Sequence, residues 1–383
     1  MNLDDLRVEI DSVDEELIEL FMKRMDIALQ VAEYKKEHNL PVLNTQRERE
    51  ILNKVSDKVS EKAGAELDTY ARVFFSTLLD VSRSRQNLFL SGESSLTQRA
   101  LKAMKETPVL FPEKATVACQ GIEGAYSQFA SEKIFKLPSI MYFNTFENVF
   151  SAVEKGLCQY GILPIENSSA GSVGEVYDLM KNHNFSIAKS VKLHIKHTLL
   201  VNPGTKLSDI KEIYSHEQAL NQCGRFLKDL KNVKIKVCEN TAEAAQTVKS
   251  LGDNHSAAIS SRNCAALYGL EILDDNIQNS DNNYTRFICI SKNLEIYPGA
   301  NRISLMLSVP HRPLALYHII AKFAALGLNM SKLESRPVPG SDFDFMFYFD
   351  IDGSLHSEPV LALMSQLEKE LDFFVFLGNY PEE

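Results

Sequence analysis

Four polar residues stand where the sequence pattern calls for apolar ones. Apolar side chains at Leu3, Leu6, Ile10, Val13, Leu17 and Leu20 alternate steps of three and four, which predicts one long amphipathic helix. That face continues through Phe21, Ala28 and Val31, but Arg24 and Lys35 share its track. Eleven residues at about 100° each leave the two cations within about 20° of one face and roughly 16 Å apart. Such a pair can clasp a small polyanion; singly, each could instead snorkel out of the stripe. Ser82 and Gln86 extend a second track through Ala71, Phe75 and Leu78, aiming polar atoms at a bundle interior. The alternative there is a satisfied core polar group or a fraying helix end.

Other candidates gather where short apolar runs end. GIEGAYS at 121–127 follows the run ATVACQ; its glycines permit a tight turn, and amides at the helix start suit an anion. In GILPIENSSAGS, Glu166, Asn167, Ser168 and Ser169 follow a strand-like run, and polar residues at such an end face the crevice of an α/β fold. SHEQALNQC puts Ser215, His216, Gln218 and Gln222 at another strand-to-helix junction. His216 could act as a general acid or could cap the helix. In NYTRF, Thr285 and Arg286 lead into the run FICI.

Three kinds of element must position these groups. The first helix is expected to run to about His38, where Asn-Leu-Pro stops it. A second begins near Thr45, with Thr45 and Glu48 reading as a capping box, and a third spans about Leu67 to Phe89. SGESSLTQRALKAMKETPVLFP then reads as a linker with one short helix. From Lys114, short apolar runs alternate with helical stretches, predicting an α/β unit. After Pro298 the order strand, helix, strand, strand, helix, strand is that of a ferredoxin-like domain.

The 383 residues leave room for two or three domains, and 44% hydrophobic with 24% charged residues is an ordinary globular composition. A net charge of -10 argues against non-specific binding to nucleic acid or anionic membranes. Six scattered cysteines form no CxxC pair or zinc spacing; neither a metal nor a cofactor is expected. With no signal-peptide core or spanning run, the cytoplasm is the expected compartment.

Over roughly the first 90 positions the residues resemble the all-helical chorismate mutases. The resemblance implies that Arg7, Arg24, Lys35, Asn44, Arg47, Glu48, Ser82 and Gln86 bind chorismate. Asn44 stands where many members have Asp; it can hydrogen-bond a substrate hydroxyl but carries no charge. The implied [3,3] rearrangement needs orientation and electrostatics, with Lys35 and Gln86 donating to the ether oxygen as charge grows there.

Residues 113–293 resemble the prephenate dehydratases, with the motifs above in the family's order. The absence of GxGxxG disfavours the nicotinamide-dependent prephenate dehydrogenases. Glu166, Asn167, Ser168, Ser215, His216, Gln222 and Arg286 are implied to bind prephenate, with Arg286 meeting a carboxylate and Thr285 essential. A hydroxyl can hydrogen-bond the departing oxygen without titrating.

From about residue 300 the chain is similar to ACT domains. LESRP at 333–337 matches the dehydratase-associated form, implying a phenylalanine site of Ala315, Leu316, Glu334, Ser335, Arg336 and Pro337. Leu314 occupies the place of the family's usual glycine. The expected domains are therefore an all-α mutase at 1–91, a linker at 92–112, a two-lobed α/β dehydratase at 113–294 and an α+β ACT domain at 300–383.

The implied protein is a homodimer or higher homo-oligomer, its chains interlocked through the first helix. Arg7 and Arg24 lie roughly 25 Å apart along that helix and about 100° around it. One ligand therefore meets both only if an antiparallel partner helix supplies the Arg7. A competing reading is a non-catalytic ligand sensor with a helical dimerisation arm. It explains the architecture but not the polar residues in apolar tracks.

Overall fold

The computed structural model describes every residue except Met1, 91–93, Lys231, Arg312 and 338–344. The first helix, α1 (Leu3–Glu37), starts at a capping box between Asn2 and Asp5 and is closed by His38, with Asn39 beyond it in the left-handed region. Two helices, α2 (Thr45–Ala63) and α3 (Ala65–Leu90), follow. The α2 cap is not the expected Thr45–Glu48 box: Asn44 is the N-cap, its side-chain oxygen taking the Arg47 amide at 3.0 Å. Starting one residue earlier makes Arg47 the third helical residue and releases Glu48 for another partner.

The C-terminal part of α1 packs on α3, which packs on α2. From Leu3 to Lys23, α1 is exposed along its whole length, including the apolar track at Leu3, Leu6, Ile10, Val13 and Leu17.

The expected linker holds one helix, α4 (Ser95–Glu106), but it is not free. Leu96, Ala100 and Ala103 are buried in the C-terminal domain's core, against Phe323, Leu363 and Leu367. The Glu368 carboxylate receives the Ser95 hydroxyl at 2.7 Å and the Leu96 amide at 2.9 Å. The boundary expected at residues 91–92 lies outside the described residues.

The central unit opens with β1 (Lys114–Gln120), α5 (Tyr126–Ile134), β2 (Leu137–Phe143), α6 (Phe146–Glu154), β3 (Tyr160–Asn167) and β4 (Gly171–Ser172). It continues with α7 (Gly174–Met180), β5 (Ser186–His194), β6 (Thr198–Val201), β7 (Glu212–Ser215), α8 (Glu217–Gln222) and α9 (Gly224–Asp229). Then come β8 (Lys234–Val237), α10 (Thr241–Leu251), β9 (Ser256–Ser260), α11 (Asn263–Tyr268), β10 (Glu271–Asp274) and β11 (Tyr284–Ser291).

Among the described residues these strands form two sheets. One runs β2-β1-β3-β11-β5 with β4 beside β3; the other runs β10-β6-β9-β7-β8. The chain leaves the first sheet after β5 and returns to it as β11, so only two crossings join the lobes. Fully buried strands such as β9 (SAAIS) and the core of β11 (FICIS) explain why these runs lack alternation: both of their faces are covered.

The last unit is β12 (Arg302–Ser308), α12 (Ala315–Ala325), β13 (Met330–Pro337), β14 (Phe345–Asp352), α13 (Glu358–Glu370) and β15 (Phe374–Tyr380). Its antiparallel sheet, β13-β14-β12-β15, is the expected ferredoxin-like βαββαβ arrangement. No described helix is long and apolar enough to cross a membrane.

Candidate active sites

In the helical unit, three elements bring the polar residues of the apolar tracks together. Arg24 donates to the Leu78 carbonyl at 2.9 Å and to the Ser82 hydroxyl. Lys35 Nζ reaches the Val42 carbonyl at 2.6 Å and Gln86 Oε1 at 3.4 Å. Ser82 and Gln86 are both 7% exposed, so neither belongs to a frayed end. Burial lowers the pKa of the Lys35 ammonium while the Glu48 carboxylate pulls it back up; burial also lowers that of Arg24. Glu48 itself is paired with Arg83, which also holds Asp80 at 2.8 Å. Arg83 went unnoticed in the sequence because it lies beside the Ser82 track rather than on it.

Three expected chorismate residues stand apart. Arg7 pairs with Asp4 at 3.1 Å and Arg47 with Glu50 at 3.3 Å, both at the exposed surface, and the Asn44 side chain is spent on its cap. Within one chain, then, Arg7 is remote from the cluster because it is nearly five helical turns from Arg24.

Between the α/β lobes lies a cavity of about 420 Å³, with Asn167 and Thr285 on one wall and His216, Gln222 and Asn240 on the other. A neighbouring cavity of about 610 Å³ shares His216, Gln218 and Gln222 with it. The GIEGAYS turn uses left-handed Gly121 and Gly124 and delivers the start of α5 to this cavity. That helix starts at Tyr126, and no side chain caps it. His216 caps α8, accepting the Gln218 amide at 3.3 Å, and burial lowers its pKa.

Beside Thr285, three side-chain amides close into a ring. Asn167 Nδ2 donates to Asn283 Oδ1 at 2.8 Å, Asn283 Nδ2 to Gln222 Oε1 at 2.9 Å, and Gln222 Nε2 to Asn167 Oδ1 at 3.3 Å. The second Asn167 N–H goes to Thr285 Oγ1 at 2.9 Å. Sequence reading missed Asn283 and His197, whose Nε2 stands 2.7 Å from Gln222 Oε1. Asn283 directly precedes the Tyr-Thr-Arg-Phe run and was within reach of that signal. His197, between two strands, gave none.

Four residues expected at prephenate do not line these cavities. Side chains alternate along β11, so Arg286 leaves the face opposite Thr285. It is 4% exposed and sits among carboxylates: Asp350 on Nη2, Glu382 at 3.3 Å from Nη1, and Glu166 at 2.9 Å from Nε without hydrogen-bond alignment. Burial opposes its charge, but Asp350, Tyr380 and Glu166 outweigh burial and raise its pKa. Glu166 also meets Lys332 at 3.1 Å. Buried Ser215 donates to the Ile259 carbonyl at 2.6 Å. Ser168 ties its loop to Asn282 and Tyr284. Arg286 and Glu166 therefore join the dehydratase lobe to the C-terminal domain, and the two serines hold local backbone.

The expected phenylalanine residues fall into two groups. Ala315 and Leu316 open α12, and Ala315 borders a cavity completed by Asp80, Arg83, Ser84 and Lys322. On β13, Arg336 grips Asp178 with bonds of 3.0 and 2.6 Å and Glu334 accepts the Ser172 hydroxyl at 2.6 Å. Ser335 and Pro337 face outward. One chain therefore does not unite the two halves. Leu314 caps α12 at φ +67°, the left-handed conformation that a glycine adopts without strain.

A helical unit with a cationic cluster, a two-lobed α/β unit with a polar cleft, and a ferredoxin-like domain bonded to both define a multidomain enzyme with two separate reaction centres. Family models agree for both halves: chorismate mutase type II matches residues 6–87 and prephenate dehydratase residues 117–295. A bifunctional chorismate mutase/prephenate dehydratase of Enterobacter agglomerans is 31% identical over 99% of this chain and 95% of its own length. Arogenate dehydratase/prephenate dehydratase 2 of Arabidopsis thaliana is 36% identical over 70% of this chain and 73% of its own. The structure of an Arthrobacter aurescens prephenate dehydratase in complex with L-Phe matches at a TM-score of 0.64 and 27% identity, covering 70% of this chain and 90% of that one. The chain belongs to the family of bifunctional chorismate mutase/prephenate dehydratases. It is an isomerase and a lyase of phenylalanine biosynthesis.

Proposed function

We propose that Arg24, Lys35, Ser82 and Gln86 hold chorismate, and that Thr285 assists the departure of hydroxide from prephenate. In the helical unit the cations would bind carboxylate, favouring the compact conformer in which the bond-forming carbons meet. Lys35 and Gln86 would donate to the ether oxygen as that bond breaks. Glu48, held by Arg83, offsets part of the burial that lowers the Lys35 pKa.

In the cleft, the electrons of the carboxylate–ring bond move into the ring and expel the ring hydroxyl, while carbon dioxide leaves. The observation that carries the reading is the bond from Asn167 Nδ2 to Thr285 Oγ1. Because the threonine oxygen accepts there, its own proton remains available to the departing oxygen. His216 and Gln222 line the same space. With Arg286 engaged elsewhere, the uncapped start of α5 is the better receptor for a substrate carboxylate. Thr285→Ala tests this: dehydration should fall by about 10²–10⁴-fold while mutase activity persists and prephenate accumulates. Equal loss of both activities in folded protein refutes the assignment.

Two further expectations concern assembly and control. The exposed apolar track of α1 suits a second copy, whose Arg7 would complete the mutase site, giving a two-fold dimer. L-Phenylalanine is the proposed effector, bound between Ala315–Leu316 of one chain and the outward residues of the β13 strand in another. Calorimetric titration of the full chain with L-phenylalanine tests it, and absence of binding refutes it.

A further inference from the structure

The amide ring beside Thr285 has a direction, and that direction decides what Thr285 can do. Asn167 uses both N–H bonds, one on Asn283 Oδ1 and one on Thr285 Oγ1. Among the described residues Thr285 Oγ1 makes no other hydrogen bond, so its own proton is unspent. Were the ring reversed, Asn167 would present its carbonyl oxygen to Thr285 and draw that proton away from the cleft.

Two locks set the direction, one in each lobe. In the first lobe, Asn167 Oδ1 accepts the backbone amides of Ser169 at 2.9 Å and Ala170 at 3.0 Å. Turning this side chain over would aim N–H at N–H. In the second lobe, Gln222 Oε1 faces His197 Nε2 at 2.7 Å. An amide oxygen only accepts, so His197 must carry its proton on Nε2. Its Nδ1, buried and without a partner among the described residues, offers the proton no competing acceptor. The other tautomer would set two acceptors against each other at 2.7 Å and turn the Gln222 amide, breaking its bond to Asn167.

His197 is 2% exposed and lies between β5 and β6, at one of the two crossings joining the lobes. Asn283 sits at the other, just before β11. The ring and His197 together thus touch both crossings. Burial lowers the pKa of the imidazole, with the Gln222 bond acting in the opposite sense, in keeping with a neutral, tautomerically fixed ring.

We propose that His197 is a positioning residue of the dehydratase half: by donating Nε2–H to Gln222 it fixes the direction of the amide ring and leaves the Thr285 proton for the substrate. This rests on the reading of Thr285 as the group that meets the departing hydroxyl.

The test compares two replacements of similar shape. His197→Gln can still donate an amide N–H to Gln222; His197→Met fills the space and cannot. With prephenate as substrate, His197→Met should lower kcat by roughly tenfold to a hundredfold, the consequence of one lost bond in a buried network, with KM little changed. His197→Gln should restore most of the rate, and mutase activity in the same chains should match the parent. A space-filling role predicts equal kcat for the two variants, and that result overturns the proposal. If either variant fails to fold, nitrogen-15 NMR of the histidine-labelled parent decides: a neutral Nε2–H tautomer supports the proposal and an Nδ1–H tautomer overturns it. Thr285→Ala separates the two readings. If it turns over prephenate like the parent, the Thr285 assignment falls and takes this proposal with it. If it is inactive while His197→Gln and His197→Met are alike, the His197 proposal falls alone.

Discussion

Thr285 and Arg286 are consecutive on β11, yet they serve opposite faces of the sheet. Thr285 meets Asn167 in the cleft, and Arg286 meets Asp350 and Glu382 at the C-terminal domain. Residues 381–383 run beside β5, with the Lys192 amide on the Glu383 carbonyl at 2.9 Å. One strand therefore turns the Thr285 hydroxyl toward the cleft on one side and the Arg286 ion pairs toward the C-terminal domain on the other.

Arg286→Met should consequently act on stability before it acts on substrate. Removing the cation leaves Glu166, Asp350 and Glu382 facing one another, and breaking a buried pair costs about 3–5 kcal/mol. Thermal melting should fall while the KM for prephenate in the folded fraction stays near the parent's. A raised KM with unchanged melting would put Arg286 back on the substrate.

Acid should loosen the same junction. Burial raises the pKa of Glu382, but Lys192, Arg302 and Arg286 outweigh it and hold it below its usual value. Its hydrogen bond to Arg336 does the same for Asp178. A depressed folded-state pKa gives stability that is complete above the unfolded value, about 4.3 for Glu, and is lost as pH falls through the lower folded value. Melting temperature should therefore drop steeply below about pH 4, and Glu382→Gln should flatten that slope. An unchanged slope in the variant would remove Glu382 from the account.

Leu314 offers a gain. At φ +67° a leucine bears a left-handed penalty of about 1–2 kcal/mol that glycine escapes. Leu314→Gly should raise stability by about 1 kcal/mol once the loss of side-chain packing is included, read as a higher melting temperature. It should also tighten L-phenylalanine binding by calorimetry. A lower melting temperature would mean that Leu314 packing outweighs its backbone strain.

Complementation tests the shared mutase site. Arg7→Ala and Arg24→Ala should each be nearly inactive as mutases. Unfolded and refolded together they should recover up to about a quarter of wild-type sites, since half the dimers are mixed and each mixed dimer holds one intact site. No recovery despite verified subunit exchange would mean that the site is built within one chain.

Periodicity exposed the helical site because a cation or amide on an apolar track is visible in one dimension: Arg24, Lys35, Ser82 and Gln86 were legible from spacing, and the structure joins them in two hydrogen-bonded pairs. The strand end in GILPIEN likewise pointed to Asn167, since an α/β sheet opens its cleft there, while Gln222 and Thr285 were singled out by the resemblance to the prephenate dehydratases. Sequence could not tell which face of a buried strand each side chain would take. β11 is covered on both sides, so apolar residues fill both faces and leave no alternation to separate Thr285 from Arg286. Neither could it reveal the amide ring, whose members come from positions 167, 222 and 283 and meet only where two lobes cross. The α4 segment read as a linker for a related reason: its apolar face has no partner nearby in sequence, and the core that covers it lies more than two hundred residues away at Phe323 and Leu363. Local pattern therefore determined which elements form and which residues are candidates for the chemistry, while the tertiary structure decided face and partner, because those depend on contacts between segments that sequence spacing does not encode.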